Sequence, residues 1–233
     1  MDETTIQISG LSKSYAGKKV IDNISLTVSS GEVYGLLGAN GAGKSTTIEC
    51  ILGTRKADAG KIRILGLDPH KDRKPIFEQV GVQFQESNYP DKIRVKELCE
   101  ETACLYRQPA EYEPLLSRFG LAEKKNAFVT ELSGGQKQKL FIILALIADP
   151  KVVFLDELTT GLDTKARRNV WKSLLELKEQ GLTIFLSSHF MDEVEMLCDR
   201  ISILRDSRFV FTGTVQEAME QSCCEKFEDA YLW

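Results

Sequence analysis

Nine residues, Gly38-Ala39-Asn40-Gly41-Ala42-Gly43-Lys44-Ser45-Thr46, restrict this chain more than any other stretch. They satisfy G-x-x-x-x-G-K-[ST], with an apolar run, Val33 to Leu37, before them and a helix-compatible segment, Thr46 to Leu52, after them. That context makes the stretch a phosphate-binding loop between a buried strand and a helix. Its glycines let the backbone wrap closely enough for N–H groups to point at phosphate oxygens, and the helix start adds a positive dipole end. Lys44 is placed to reach the β- and γ-phosphates, and Ser45 to offer its hydroxyl to Mg²⁺. The expected core is α/β, with a P-loop NTPase sheet that is parallel or mixed.

A chain of 233 residues can bury a full core and fits one domain, or one domain with a subdomain. With 42% hydrophobic and 27% charged residues it excludes a disordered or fibrous protein. The net charge of -4 argues against a general nucleic-acid-wrapping surface, so no nucleic-acid partner is expected. The acidic start, Met1 to Thr5, does not read as a secretion signal. The longest apolar run, Leu140 to Ala148, is far shorter than the roughly 20 residues that a spanning helix needs. Six cysteines, Cys50, Cys99, Cys104, Cys198, Cys223 and Cys224, form no C-x-x-C pair and read as reduced thiols; the adjacent Cys223-Cys224 pair is the candidate for redox or metal chemistry.

Hydrophobic patterning organises the rest. Ile6 to Ile8 and Val20 to Val28 alternate as half-buried antiparallel strands around an expected turn over Leu11 to Lys19, which puts Tyr15 on or beside a loop. Tyr15 there is either an ordinary half-exposed tyrosine or a neighbour of the nucleotide. Ile62 to Leu65 reads as a strand, Leu67 to Pro75 as a polar connection, and Val80 to Gln85 as a strand ending on Gln85. From Val95 to Phe119 the period becomes helical, which predicts an inserted α-helical subdomain over about 86–135 within a single domain, 1–233. Ser133-Gly134-Gly135 opens a further helix that stops at Asp149-Pro150. Val152 to Leu155 and Thr183 to Leu186 are continuous apolar runs, as expected of parallel strands buried on both faces. A helix over Thr164 to Gln180 lies between them. A short acidic helix, Met191 to Leu197, two strands and a last helix from about Thr214 complete the chain.

Hydrolytic phosphoryl transfer needs Mg²⁺ near the β/γ-phosphates, a group that orients water, and donors around the γ-phosphate. Asp156 and Glu157, at the carboxyl end of an apolar strand, suit the Mg²⁺-side carboxylate and the general base. His189, after the next strand, is placed to donate to the γ-phosphate, and Gln85 to reach Mg²⁺ or the water, unless each is simply a polar strand-end residue. The Ser133 helix start is a second anion site by the same logic as the P-loop. One chain seldom needs two γ-phosphate cradles, so the surplus points to another subunit's nucleotide.

With Leu132-Ser133-Gly134-Gly135-Gln136 and its continuation Lys137-Gln138-Lys139, the chain resembles the nucleotide-binding subunits of ATP-binding cassette (ABC) transporters almost end to end. Asn40 and Ala42 fit the family's P-loop. The strand with Asp156 and Glu157 resembles its Walker B, Thr160-Gly161-Leu162-Asp163 its D-loop, His189 its switch histidine, Gln85 its Q-loop glutamine and Tyr15 its adenine-stacking aromatic. The resemblance implies an ATPase that forms a head-to-tail dimer, homomeric or heteromeric. In that dimer Ser133, Gly134, Gly135 and Gln136 of one cassette, with Asp163, close on ATP held by Asn40, Gly41, Gly43, Lys44, Ser45 and Thr46 of the other. Mg²⁺ would be held by Ser45, Gln85 and Asp156. It also implies an antiparallel β subdomain, separate membrane-spanning permease partners and a peripheral place on the cytoplasmic face of the cell membrane. Ser188 to Ile201 and Phe227 to Leu232 look most like drug, antibiotic or bacteriocin export cassettes of the ABC-2 type. Leu158 stands where the family usually has proline after Asp-Glu, which predicts a looser turn behind the carboxylate.

Two other classes compete. A soluble ABC ATPase of translation or DNA repair would carry tandem cassettes or a long coiled-coil insertion, and only Glu86 to Glu131 separates Gln85 from the signature. A P-loop kinase would leave Leu132 to Gln136 without a purpose.

Overall fold

The structure, a computed structural model, describes residues 3–84, 89–90 and 92–232. Two sheets carry it. Strands β1 (Thr4–Tyr15), β2 (Lys18–Ser29) and β4 (Ala59–Ile64) form an antiparallel sheet in the order β2-β1-β4. Strands β3 (Val33–Leu37), β5 (Val80–Gln83), β6 (Val152–Asp156), β7 (Thr183–Ser188), β8 (Arg200–Arg205) and β9 (Arg208–Gly213) form the second, in the order β5-β6-β7-β3-β8-β9. Only β9 runs antiparallel, so the core sheet is mixed.

The central strands are apolar at every position because both of their faces are covered. Val33, Val153, Leu155, Ile184 and Leu186 pack on one side, against helices α3 (Val95–Ala103), α5 (Gly134–Leu146) and α6 (Thr164–Glu179). Tyr34, Leu36, Phe154 and Phe185 face the other side, against the antiparallel sheet and helix α1 (Lys44–Ile51). There the Phe185 ring lies 5.3 Å from Phe154 and 5.7 Å from Tyr34.

Several local expectations are corrected. β1 does not turn at Leu11: it runs on to Tyr15 with register shifts after Ile8 and Leu11, and Leu11 is buried. Such bulges break the two-residue alternation while leaving the pairing intact. The connection after Leu67 contains a short helix, α2 (Arg73–Phe77), with Pro75 in its first turn where a missing N–H costs nothing. α4 (Tyr112–Arg118) follows α3, so helices occupy the stretch between β5 and β6, as the helical period there predicts. α7 (Met191–Leu197) has the expected bounds. The final helix is two, α8 (Val215–Ser222) and α9 (Phe227–Leu232), divided where Cys223 takes a left-handed conformation. Among the described residues, no helix is long and apolar enough to cross a membrane.

Phe185 sits in the middle of the aromatic layer between the sheets. Phe185→Ala is expected to destabilise the chain by about 3–5 kcal/mol through lost burial and a residual cavity. Val210→Ala on the exposed part of β9 should change stability by about 0.5 kcal/mol or less. Urea unfolding of the two variants compares them, and equal midpoints would contradict this account of the core.

Candidate functional site

The parallel register aligns the strand ends that carry chemistry. Asp156 pairs with Ser187, and Leu37 pairs with Ser188, so the ends of β6, β7 and β3 lie side by side. The P-loop leaves β3 at this edge. Gly43, with φ of 110°, is the N-cap of α1, and a Cβ there would meet the Val20 side chain and carbonyl at 3.0 Å. Only glycine fits both the conformation and the space. The first turn of α1 then presents backbone N–H groups that have no intrahelical partner.

Asn40, Gly41, Gly43, Lys44, Ser45, Thr46, Tyr15, Val20 and Glu157 line one cleft of about 550 Å³. Tyr15 is 39% exposed at the end of β1, with Lys13 Nζ and Arg55 Cζ each 5.4 Å from its ring centroid. Lys44 is almost buried, and its ammonium donates to the Gly38 and Ala39 carbonyls at 2.8 and 3.2 Å. Burial holds that ammonium below the usual lysine range, with Glu157 and Asp156 opposing the shift.

Behind the cleft, Ser187 joins the two carboxylate residues. Its hydroxyl donates to Asp156 Oδ1 and accepts from the Glu157 N–H at 3.0 Å. Glu157 has φ of 53°, a conformation that non-glycine residues adopt only when their surroundings enforce it. A proline at 158 would press residue 157 towards an extended conformation, so leucine matches the turn found here. Leu158 is wholly buried in the main core, and the turn is anchored, contrary to the looseness expected from the missing proline.

The other described residues of the predicted site, His189, Ser133, Gly134, Gly135, Gln136 and Asp163, stand apart from this cleft. His189 follows β7 at the same sheet edge but is exposed and outside the cleft lining, with its ring 4.1 Å from Phe190. Phe190 in turn lies 4.2 Å from the Arg167 guanidinium carbon. Ser133 caps α5: its Oγ accepts from the Gln136 N–H at 3.3 Å, and Gln136 Oε1 accepts from the Ser133 N–H at 3.0 Å. Gly134 is exposed, and a Cβ on Gly135 would meet Leu162 at 3.0 Å. None of the four signature residues lines the P-loop cleft of its own chain. Asp163 caps α6 by accepting from the Ala166 N–H at 2.8 Å. Gln85 lies outside the described residues.

Sequence reasoning missed Gln138 and Glu193 as parts of this region. Glu193 is fully buried on α7, where Oε1 accepts from Thr159 Oγ1 at 2.7 Å and Trp171 Nε1 at 3.1 Å. It joins the segment after Glu157 to the helix after His189. Its signal was one of three acids on a short helix, which reads as one more solvated charge.

A phosphate-binding loop at the edge of a mixed sheet, two strand-end carboxyl groups and a separate capped glycine helix start define a P-loop nucleotide-binding cassette. The ABC transporter family model matches residues 21–160. The Nod factor export ATP-binding protein I of Rhizobium etli is 39% identical over 231 residues, covering 97% of this chain and 73% of that protein. A solved ATP-binding subunit of an ABC transporter is 29% identical, covers 98% of both chains and superposes with a TM-score of 0.89. The cbiO1 protein from Clostridium perfringens, part of the ABC transporter complex cbiONQ, gives 27% identity and a TM-score of 0.81 over 95% of this chain and 92% of its own. The chain belongs to the ABC transporter family as an ATP-binding subunit, an ATPase that drives transport. Its partners are therefore membrane permease subunits. The comparisons favour neither the soluble nor the kinase reading.

Burial raises the Glu193 carboxyl above the usual range, with Ser188, Thr159, Trp171 and Arg167 opposing it. The folded chain thus holds this proton more tightly than the unfolded chain. The stabilisation is present below the ordinary carboxyl value and is lost as pH rises through the raised one. Glu193→Gln, neutral at every pH, is expected to melt progressively higher than the parent as pH goes from 5 to 8, by about 2–4 °C for each kcal/mol recovered. Melting curves across that range test it, and an offset independent of pH would refute the burial argument.

Proposed function

We propose that this subunit powers an exporter through ATP-driven, head-to-tail pairing of two cassettes, peripheral to the cytoplasmic face of the cell membrane. The observation that carries the reading is the separation of the two anion sites. The P-loop half binds in its own cleft, whereas Ser133, Gly134, Gly135 and Gln136 lie outside that cleft and are available to a partner's nucleotide. Export as the direction, in an ABC-2 type drug, antibiotic or bacteriocin system, follows the resemblance and is supported by the Nod factor export relatives. The helical segment over about 86–135 is the subdomain that passes the motion to separate permease subunits, and the second cassette is a copy of this chain or a different one.

In this reading Tyr15 stacks on adenine, and Asn40, Gly41, Gly43, Ser45 and Thr46 surround the phosphates with backbone N–H groups and hydroxyls. Lys44 shifts its charge from loop carbonyls to phosphate oxygens. Glu157 orients and deprotonates the attacking water, Gln85 is a candidate for Mg²⁺ or that water, and His189 donates to the γ-phosphate. Asp163 takes part from the partner's side of the interface.

The donor set fits Mg²⁺. Ser45 and Asp156 bring a hydroxyl and a carboxylate to one sheet edge, both hard oxygen ligands, and Gln85 is the third candidate. Among the described residues no group of three His, Cys, Asp or Glu gathers into a cage. A cation shared with substrate phosphates needs only one or two protein carboxylates. Bound there, Mg²⁺ would neutralise phosphate charge.

Glu157→Gln is expected to lower steady-state ATP turnover by about a hundredfold or more while ATP still binds and an ATP-dependent dimer accumulates. Phosphate release and gel filtration with ATP measure the two, and undiminished turnover would defeat the general-base assignment. Tyr15→Ala should weaken ATP roughly tenfold, and Tyr15→Phe hardly at all, because stacking needs the ring and not the hydroxyl. Nucleotide titration with equal affinity for all three chains would remove Tyr15 from the site.

A further inference from the structure

The turn that carries Glu157 is held by a residue with no role in the reading above. Gln138, in the second turn of α5, directs Nε2 at two successive carbonyls, Leu158 O at 2.8 Å and Glu157 O at 3.3 Å. Both acceptors belong to the turn whose first residue has the left-handed backbone. A strained conformation persists only where its surroundings over-determine it. Among the contacts that do so here, Ser187 accepts the Glu157 N–H, the Thr160 N–H donates to the Glu157 carbonyl at 3.3 Å, Leu158 is locked in the core, and Gln138 donates to the carbonyls of both residues. Gln138 alone of these comes from the signature helix.

That helix touches the same loop again one turn earlier, where Gly135 is packed so closely that a Cβ would stand 3.0 Å from Leu162 and 3.4 Å from the Gly161 carbonyl. Residues 157–162 therefore rest on the start of α5 at two points. Ser133, which caps that start, faces outward. Gln138 is thus the side chain that links the helix start to the backbone that carries Glu157.

We propose that Gln138 is a positioning residue that couples the two ATP sites of the dimer: engagement of the partner's nucleotide by the signature helix sets the orientation of Glu157 in the helix's own subunit. The inference rests on the head-to-tail reading and on Glu157 as general base. Its physical content is one side-chain amide donor shared by two carbonyls of a strained turn, and removing it lets the carboxylate shift by fractions of an ångström. Misplacement on that scale slows chemistry while leaving nucleotide contacts in place.

Gln138→Met keeps the volume and removes the donor. In the purified full chain, at concentrations where the ATP dimer forms, its kcat is expected to fall roughly ten- to hundredfold with the KM for ATP within about twofold of the parent. The Glu157→Gln, Gln138→Met double variant should still form the ATP-dependent dimer. A full kcat in Gln138→Met overturns the proposal. So does a parallel loss of kcat, KM and dimer formation, which marks a merely structural role for the side chain. Glu157→Gln measured alongside separates two failures. If it keeps turnover, the general-base reading falls; if it is inactive while Gln138→Met is fully active, only the coupling falls.

Discussion

Three parallel strands, β6, β7 and β3, are paired so that Asp156, Ser187, Ser188 and Leu37 end at one level, and every functional arrangement in this chain depends on that register. Sheets buried on both faces have no room for charge along their length, so polar chemistry collects where the strands stop. A shift of one residue in β7 that brought Leu186 opposite Asp156 would remove the hydroxyl between the two acidic positions. The register is fixed by packing: Phe154 and Phe185 must face the antiparallel sheet while Leu155 and Leu186 face the helices. Energetics of the core and geometry of the site are thus one problem.

The period of the hydrophobic pattern made much of this legible. Continuous apolar runs located β3, β6 and β7, and the glycine-lysine motif located the start of α1, although the helix begins at Lys44 and not at Thr46. Strand β1 was truncated because bulges interrupt its alternation, and α2 was lost in a charged segment too short to show a period. The apolar run Thr183 to Leu186 stops two residues short of the end of β7, where Ser187 and Ser188 are buried as well.

Side-chain links behind the site were illegible for a different reason. Gln138 and Glu157 are 19 positions apart, Ser187 and Asp156 31, and Glu193 and Thr159 34. No local period relates such pairs, and glutamine or glutamate on a helix reads as a solvated face. Motif matching identified Leu158 as a departure but judged it by its own φ. The burial of its side chain and the left-handed residue before it decide the matter instead.

What emerges is a turn held on all sides by elements that have other tasks. Ser187 belongs to the strand leading to His189, Thr159 is tied through Glu193 to the helix beyond it, and Gln138 belongs to the helix that Ser133 caps. A carboxylate meant to act whenever ATP is bound would need only a rigid support in its own strand. One whose backbone is shared among a core strand, the helix beyond it and the signature helix is poised to respond to all of them. On the proposed reading, that is why a strained residue is tolerated at the centre of the site: its conformation holds only when the signature helix, the histidine segment and the core stand in register, which is the condition under which hydrolysis should proceed.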